Sequence, residues 1–269
     1  MERFISIIVS TYNRPDALRL VLLALAEQSD REFEVIVADD GSTTETRFML
    51  ESLRAQLPYV LYHIWQVDDG FRAAAIRNKA AAVAQGKYLI FLDGDCVPRV
   101  SFVAKHRALA EKQHLVAGNR VLLGEKFTKQ VLARDELLHH WNYLDWLLAR
   151  LSGKSNRILP FVPLCLPRKF RKHRWQGVKT CNLGIFKQDF LAANGFDESY
   201  CGWGYEDSDL AIRLLRLGLR RKDGHGAIPV VHLWHKENDR AREPFNYQRL
   251  QSVNQSSRVK TGHGVDQYL

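Results

Sequence analysis

The sequence predicts an α/β protein built on a mostly parallel sheet flanked by helices. Two observations carry that reading. Strand-like and helix-like hydrophobic patterns alternate through the N-terminal third of the chain, and three of the four strand-like segments there end on acidic or hydroxyl side chains. Strand, helix, strand, helix in this rhythm implies parallel strands joined by right-handed crossovers. Such sheets bind ligands beyond the carboxyl ends of their strands, where those polar groups would gather.

Taken in order, Phe4 to Ser10 is an apolar run suited to a buried strand, and it continues into Thr11-Tyr12. Pro15 and Asp16 suit the first turn of a helix over 15–28, with Leu18, Val21, Leu22 and Leu25 at helical spacing. A second strand, Phe33 to Ala38, ends at Asp39-Asp40-Gly41-Ser42 and is followed by a helix over 43–56. Tyr59 to Val67 is the third strand. An alanine-rich helix over 73–85 then leads through Gly86 into the strand Tyr88 to Leu92. Asp93-Gly94-Asp95 follows directly. Side chains two apart on an extended segment point to the same side, so this strand end presents two carboxylates with a glycine between them. Such a pair can hold a divalent cation such as magnesium, whose shell is completed by water and substrate phosphates. A polar turn closing a strand uses the same residue types.

Composition bounds what surrounds that end. A chain of 269 residues with 46% hydrophobic content can bury one large core or two small ones. The apolar stretch at the start is too short for a secretory signal and runs into Tyr12-Asn13-Arg14-Pro15, and no uninterrupted apolar segment is long enough to span a bilayer. Cys96, Cys165, Cys181 and Cys201 lack both CxxC spacing and the density of a disulfide framework, so a reducing cytoplasm is the expected setting.

Five segments in order carry a resemblance: Ile7 to Pro15 (IIVSTYNRP), Val37 to Ser42 (VADDGS), Ala75 to Asn78 (AIRN), Phe91 to Asp95 (FLDGD) and Gly202 to Asp207 (GWGYED). Together they resemble the signatures of family 2 glycosyltransferases with the GT-A fold, over roughly residues 4 to 236. The resemblance implies an inverting, metal-assisted hexosyl- or hexosaminyltransferase. It would move a sugar from a nucleotide-diphosphate donor, expected to be a UDP-sugar, to a hydroxyl of a glycan or lipid-linked acceptor in polysaccharide or lipopolysaccharide synthesis. It further implies that Ser10, Tyr12 and Asp40 line the nucleoside pocket, that Arg77 faces base or diphosphate, and that Asp93 lies near the ribose and the metal with Asp95 as the direct metal ligand. On this reading residues 1–98 form the nucleotide-sugar half of the domain, 99–237 a smaller acceptor-binding and catalytic half, and 238–269 a C-terminal tail.

The physical logic runs beside that likeness. A nucleoside diphosphate leaving group gains negative charge as the glycosidic bond breaks, and Mn2+ or Mg2+ stabilises it without proton transfer. Displacement with inversion needs a carboxylate on the acceptor side to take the hydroxyl proton. Asp207 is the candidate base, with Glu206 as its neighbour or as an acceptor ligand. An acidic residue opening a helix is also how helices are capped. Leu210, Leu214 and Leu217 mark that helix, which should end near Gly218. Trp203, between two glycines, suggests a sugar-stacking face on a loop.

Val230 to His235 reads as a last strand with two histidines three apart, which on an extended strand face opposite sides. Related GT-A enzymes take a metal-ligating histidine from this region; His232 matches the position, with His235 as substitute should the segment turn. Imidazole beside oxygen ligands suits manganese.

Between these parts, residues 130–151 are expected as one amphipathic helix with Leu132, Leu137, Trp141, Leu144 and Leu148 on its apolar side. Residues 154–175 mix Arg157, Arg168, Lys169, Arg171, Lys172 and Arg174 with Phe161, Val162, Leu164, Leu166 and Phe170. With a net charge of +9, that mixture suggests peripheral attachment to an anionic membrane at its inner face, or a loop closing over the nucleotide diphosphate. Residues 238–269 are polar, with a helix expected near 244–253 and a loose end after it.

Two other functions are weighed by the same residues. A sugar-phosphate nucleotidyltransferase should carry a glycine-rich phosphate loop after the first strand, where this chain has Thr11-Tyr12-Asn13-Arg14-Pro15. A nucleic-acid binder would explain the basic balance, yet acidic strand ends have the wrong sign for a phosphate backbone, and no nucleic acid is expected as a partner.

Overall fold

A computed structural model describes residues 4–158, 161 and 167–269. In chain order its elements are β1 (Ile5–Thr11), α1 (Pro15–Ala26), β2 (Phe33–Asp39), α2 (Thr44–Arg54), β3 (Leu61–Trp65), α3 (Ala73–Val83) and β4 (Tyr88–Asp93). There follow β5 (Cys96–Pro98), α4 (Phe102–Leu109), β6 (His114–Ala117), β7 (Asn119–Leu122), α5 (Glu125–Arg134), α6 (Tyr143–Leu151), β8 (Asn182–Phe186) and α7 (Lys187–Ala192). The last are α8 (Glu206–Arg216), β9 (Arg220–Asp223), β10 (Pro229–His232) and α9 (Glu243–Gln255).

Seven strands form the main sheet in the order β3-β2-β1-β4-β8-β6-β9. The first four run parallel, as the alternation predicts; β8 is antiparallel to both β4 and β6, and β9 is parallel to β6. Period-two alternation splits the core between the two faces. Ile5, Ile7, Val9, Val35, Val37, Ile90 and Leu92 pack with α1, while Ile8, Ile36, Ala38, Leu89 and Phe91 pack with α3 and α8. Each fully buried aliphatic side chain contributes on the order of 1.5–3 kcal/mol. The alanines of α3 bring that helix close to the sheet, which matters for the arginine it carries. A second sheet, β5-β10-β7, sits beside the end of β4 and brings β10 back to it.

Several expectations are corrected. Residues 130–151 do not form one helix. Asp135 adopts a left-handed conformation (φ 49°) that closes α5, and α6 starts afresh from a capping box in which the Asn142 side chain accepts from Leu144 N and Asp145 N while Asp145 accepts from Asn142 N. The break shifts the helical phase: Leu137, Leu144 and Leu148 are exposed, and Leu138, Trp146 and Ala149 are buried instead. Phe161 is buried, stacked on Trp146 at 4.3 Å, so it does not face outward from the basic stretch. Val162, Leu164, Leu166 and Cys165 lie outside the described residues. Within that stretch Lys169 pairs with Glu111 at 2.6 Å, and Arg157 donates to the Arg120 carbonyl at 2.6 Å.

The expected loose end is ordered. After α9 the chain returns to place Val265, fully buried, against α3 and the 190s loop, and Asn194 fixes it by accepting from Asp266 N and Val265 N. The last strand is also shorter than expected, stopping at His232. Among the described residues no helix is long and apolar enough to cross a membrane.

Candidate active site

The register of the parallel strands builds one polar edge. Ser10 lies beside Asp93, and Thr11 beside Asp39, at the carboxyl ends of β1, β2 and β4. The turn after β4 is held against β1 by Gly94 N donating to Ser10 O at 2.7 Å. A Cβ at residue 94 would lie 2.9 Å from that oxygen and 3.2 Å from Thr11 Cβ, so the turn can sit this close only with glycine.

Arg77 lies at the centre. Its guanidinium, on α3 and only 6% exposed, donates through Nε to Ser10 Oγ at 2.9 Å, through Nη1 to Glu206 Oε1 at 2.9 Å and through Nη2 to Asp93 Oδ1 at 3.3 Å. The rigid fork thus joins the first strand, the fourth strand and the start of α8. Burial pushes the Asp93 carboxyl up, against the pull of Arg77. Arg77 is therefore a buried cross-brace carrying charge toward the strand ends, rather than a free surface cation.

On the β2 side, Asp40 is nearly buried, and both of its oxygens are engaged: Gln66 Nε2 donates to one at 2.6 Å and Arg72 N to the other at 2.8 Å. Burial raises its pKa. A carboxylate has lone pairs beyond those two bonds, so a further acceptor position remains for a base. Tyr12 is half-exposed and donates to Asp68 at 2.9 Å. The adjacent Asp39 is structural, accepting from Ser42 N at 2.8 Å and facing His63 at 2.9 Å.

Asp95 meets both histidines. His232 Nε2 lies 3.5 Å and His235 Nε2 3.4 Å from Asp95 Oδ2, with ring centroids 5.2 Å apart. The opposite-face expectation fails because β10 ends at His232. Pairing of His232 with Cys96 and donation from Leu233 N to Asp95 O at 2.9 Å turn the chain there, so the rings converge. Burial pushes His232 down to about 4, leaving a neutral imidazole with a free lone pair at neutral pH. Two imidazole nitrogens around one carboxylate oxygen are a donor set that fits a manganese-like divalent ion better than magnesium. Cys96 Sγ, 3.5 Å from Asp95 Oδ1, backs the group from the core side.

Across Arg77 stands the start of α8. Gly202 (φ 80°), Gly204 (φ 106°) and Tyr205 (φ 75°) wind the chain through left-handed conformations into the helix. Glu206 is buried against Arg77. Asp207 forms no ion pair among the described residues; its carboxyl is pushed up to about 7, by burial first and then by the negative charge of Glu206. A carboxyl so poised is suited to exchange a proton near neutral pH. Trp203 has one face covered by Arg240, whose guanidinium carbon is 4.4 Å from the ring centroid.

Sequence reasoning missed the residues that hold this edge together. Asn78 accepts from Phe196 N at 2.9 Å and donates to Phe196 O at 2.9 Å and Glu198 at 2.8 Å, tying α3 to the loop before α8. From α9, Asn246 Nδ2 lies 3.2, 3.4 and 3.3 Å from the carbonyls of Cys201, Gly202 and Trp203. Gln66, Arg72 and Asp68 anchor Asp40 and Tyr12. The only signal for any of these was Asn78 standing next to Arg77; the rest are long-range contacts.

The family model described as Glycosyl transferase family 2 matches residues 6–169, and that described as N-terminal domain of galactosyltransferase matches 165–236. Validoxylamine A glucosyltransferase of Streptomyces hygroscopicus subsp. jinggangensis is 29% identical over 224 residues, covering 80% of this chain and 52% of that protein. Hyaluronan synthase of Pasteurella multocida is 29% identical over 268 residues, covering 89% of this chain and 26% of that one. The chain thus spans about half of the first relative and about a quarter of the second. The crystal structure of GalNAc-T7 with UDP, GalNAc and Mn2+ superposes with a TM-score of 0.65 at 15% identity, over 93% of this chain and 47% of that one. At that identity the likeness is one of fold, and the fold is GT-A.

Proposed function

The chain belongs to glycosyl transferase family 2, and from that premise we propose that it transfers a sugar, with inversion, from a UDP-sugar to a hydroxyl of a glycan or lipid-linked acceptor in cell-surface polysaccharide or lipopolysaccharide synthesis. One observation carries the reading. Arg77 clamps Asp93 to Glu206, so that their neighbours Asp95, with two histidines, and Asp207, with a raised pKa, flank the same buried guanidinium.

In this proposal Asp95, His232 and His235 hold Mn2+ or Mg2+, with Asp93 alongside. A divalent ion there supplies charge stabilisation for the departing diphosphate. Ser10, Tyr12 and Asp40 bind the nucleoside, and Arg77 fixes the positions of Ser10 and Asp93. Asp207 takes the proton from the acceptor hydroxyl as its oxygen bonds to the anomeric carbon; the bond from that carbon to the diphosphate oxygen breaks, and the electron pair leaves with the diphosphate. Glu206, held by Arg77, keeps Asp207 basic by its charge, and Trp203 stacks on the acceptor sugar. The likeness to a glucosyltransferase and a hyaluronan synthase, and to a fold neighbour solved with UDP, GalNAc and Mn2+, supports a nucleotide-sugar donor and a glycan acceptor.

We place the enzyme in the cytoplasm, resting peripherally on the inner face of an anionic membrane. Support comes from residues 138–175, where Arg150, Lys154, Arg157 and five further basic residues face a single acidic one, Asp145. Next to them Leu144, Leu148 and Leu151 form an exposed apolar stripe on α6.

Thermal-shift screening against nucleotide sugars, with and without Mn2+, tests the donor site, because a ligand bound only by the native state raises its melting temperature. One donor should give a manganese-dependent rise that Asp95→Ala abolishes. A rise of unchanged size in Asp95→Ala would remove the metal assignment.

A further inference from the structure

Away from the active site, Glu27, His139 and His140 form a second group of metal-ligating side chains. Glu27 follows the last turn of α1, and the two histidines occupy a 3-10 turn, Leu138–His140, between α5 and α6. The sequence separates these residues by more than a hundred positions and gives them no role. The fold brings His139 Nε2 to 3.3 Å from Glu27 Oε1 and His140 Nε2 to 2.6 Å from Glu27 Oε2, with all three ligand atoms within 4.8 Å of one another.

We propose that Glu27, His139 and His140 bind a zinc ion that clips α1 to the turn between α5 and α6. Three features support this. Zinc takes imidazole nitrogens and carboxylate oxygens at about 2.0–2.2 Å in a tetrahedron, whose edges are then roughly 3.3 Å, close to the His139–Glu27 separation. His139 is 4% exposed, yet its Nε2 has no hydrogen bond among the described residues and points at the Glu27 carboxylate. A buried ring nitrogen without a hydrogen bond is costly unless something binds it. Finally, His140 and Glu27 are half-exposed, so the ion has an entry path and a solvent-facing fourth position for water. The 2.6 Å His140–Glu27 contact is a hydrogen bond whose place the ion would take.

A hydrogen-bonded histidine pair without an ion is the competing account, and zinc titration separates the two. Zinc bound per chain is counted by equilibrium dialysis, and its effect on melting temperature is read in parallel, for the wild type, His140→Ala, Glu27→Gln and Asp95→Ala. The proposal expects the wild type to hold one zinc more than either His140→Ala or Glu27→Gln, and Asp95→Ala to keep that zinc and its thermal shift. Because His140 is half-exposed and Glu27→Gln keeps the side-chain shape, both variants should fold. If His140→Ala and Glu27→Gln bind as many zinc ions as the wild type, with the same thermal shift, the site does not exist. That outcome would leave the Asp95 site unaffected.

Discussion

In the proposed mechanism, Asp207 works as a base because the fold holds it in an unfavourable state. Burial and the charge of Glu206 push its carboxyl up to about 7, so the ionised form is disfavoured in the fold but is the form a base requires. The sign follows for activity: kcat/KM should fall by about tenfold per pH unit below pH about 7 and level off above it. It follows also for stability. A carboxyl whose folded pKa is raised binds more protons folded than unfolded between its two pKa values, so its contribution is most favourable at low pH and is lost as pH rises through that window. Asp207→Asn should therefore lose about 10²–10⁴ in kcat while raising the melting temperature at pH 8 more than at pH 5. Melting curves at the two pH values check this; a lower melting temperature at pH 8 would contradict it. Asp207 was legible as a candidate base because it is an acidic residue opening a helix in a GWGYED run. Its dependence on Arg77 was not, because no local spacing reveals that a guanidinium on α3 lies 2.9 Å from Glu206.

At the scale of elements, the C-terminal segment packs against the loop that leads into α8. Asn246, on α9, reaches the carbonyls of Cys201, Gly202 and Trp203, and Arg240 covers one face of Trp203. Asn246→Ala should loosen this loop, raising the acceptor KM several-fold with little change in donor binding. Steady-state kinetics against each substrate checks the split, and equal changes in both KM values would refute the assignment. The strand and helix alternation through β4 was readable because its runs are long and strongly periodic. The short strands β5, β6, β7 and β9 carry too few residues for a pattern, and the break at Asp135 depends on one left-handed residue inside an otherwise helical period. The convergence of the two histidines was hidden for a similar reason. The face rule holds for an extended strand, and β10 stops at the first of them.

At the scale of the molecule, charge and exposure separate the proposed sugar-transfer site from the proposed membrane contact. The acidic carboxyl ends of the main sheet's strands and the histidine pair at the end of β10 in the second sheet meet at one site, while the basic segment and the apolar stripe of α6 belong to the connection between β7 and β8. Flotation with vesicles containing anionic lipid should carry the wild type upward and leave a Leu144→Ser, Leu148→Ser, Leu151→Ser variant behind, since that stripe is exposed and its loss costs the fold little. Equal flotation of the two would exclude α6 as the contact. The central claim, a metal-assisted sugar transfer with Asp207 as base, is tested most directly by nucleoside diphosphate release. The wild type is given a panel of nucleotide sugars and glycan acceptors with Mn2+, beside Asp207→Asn on the same panel. The account predicts acceptor-dependent release with one donor, abolished by chelation and lost in Asp207→Asn; release by Asp207→Asn at the wild-type rate would contradict it.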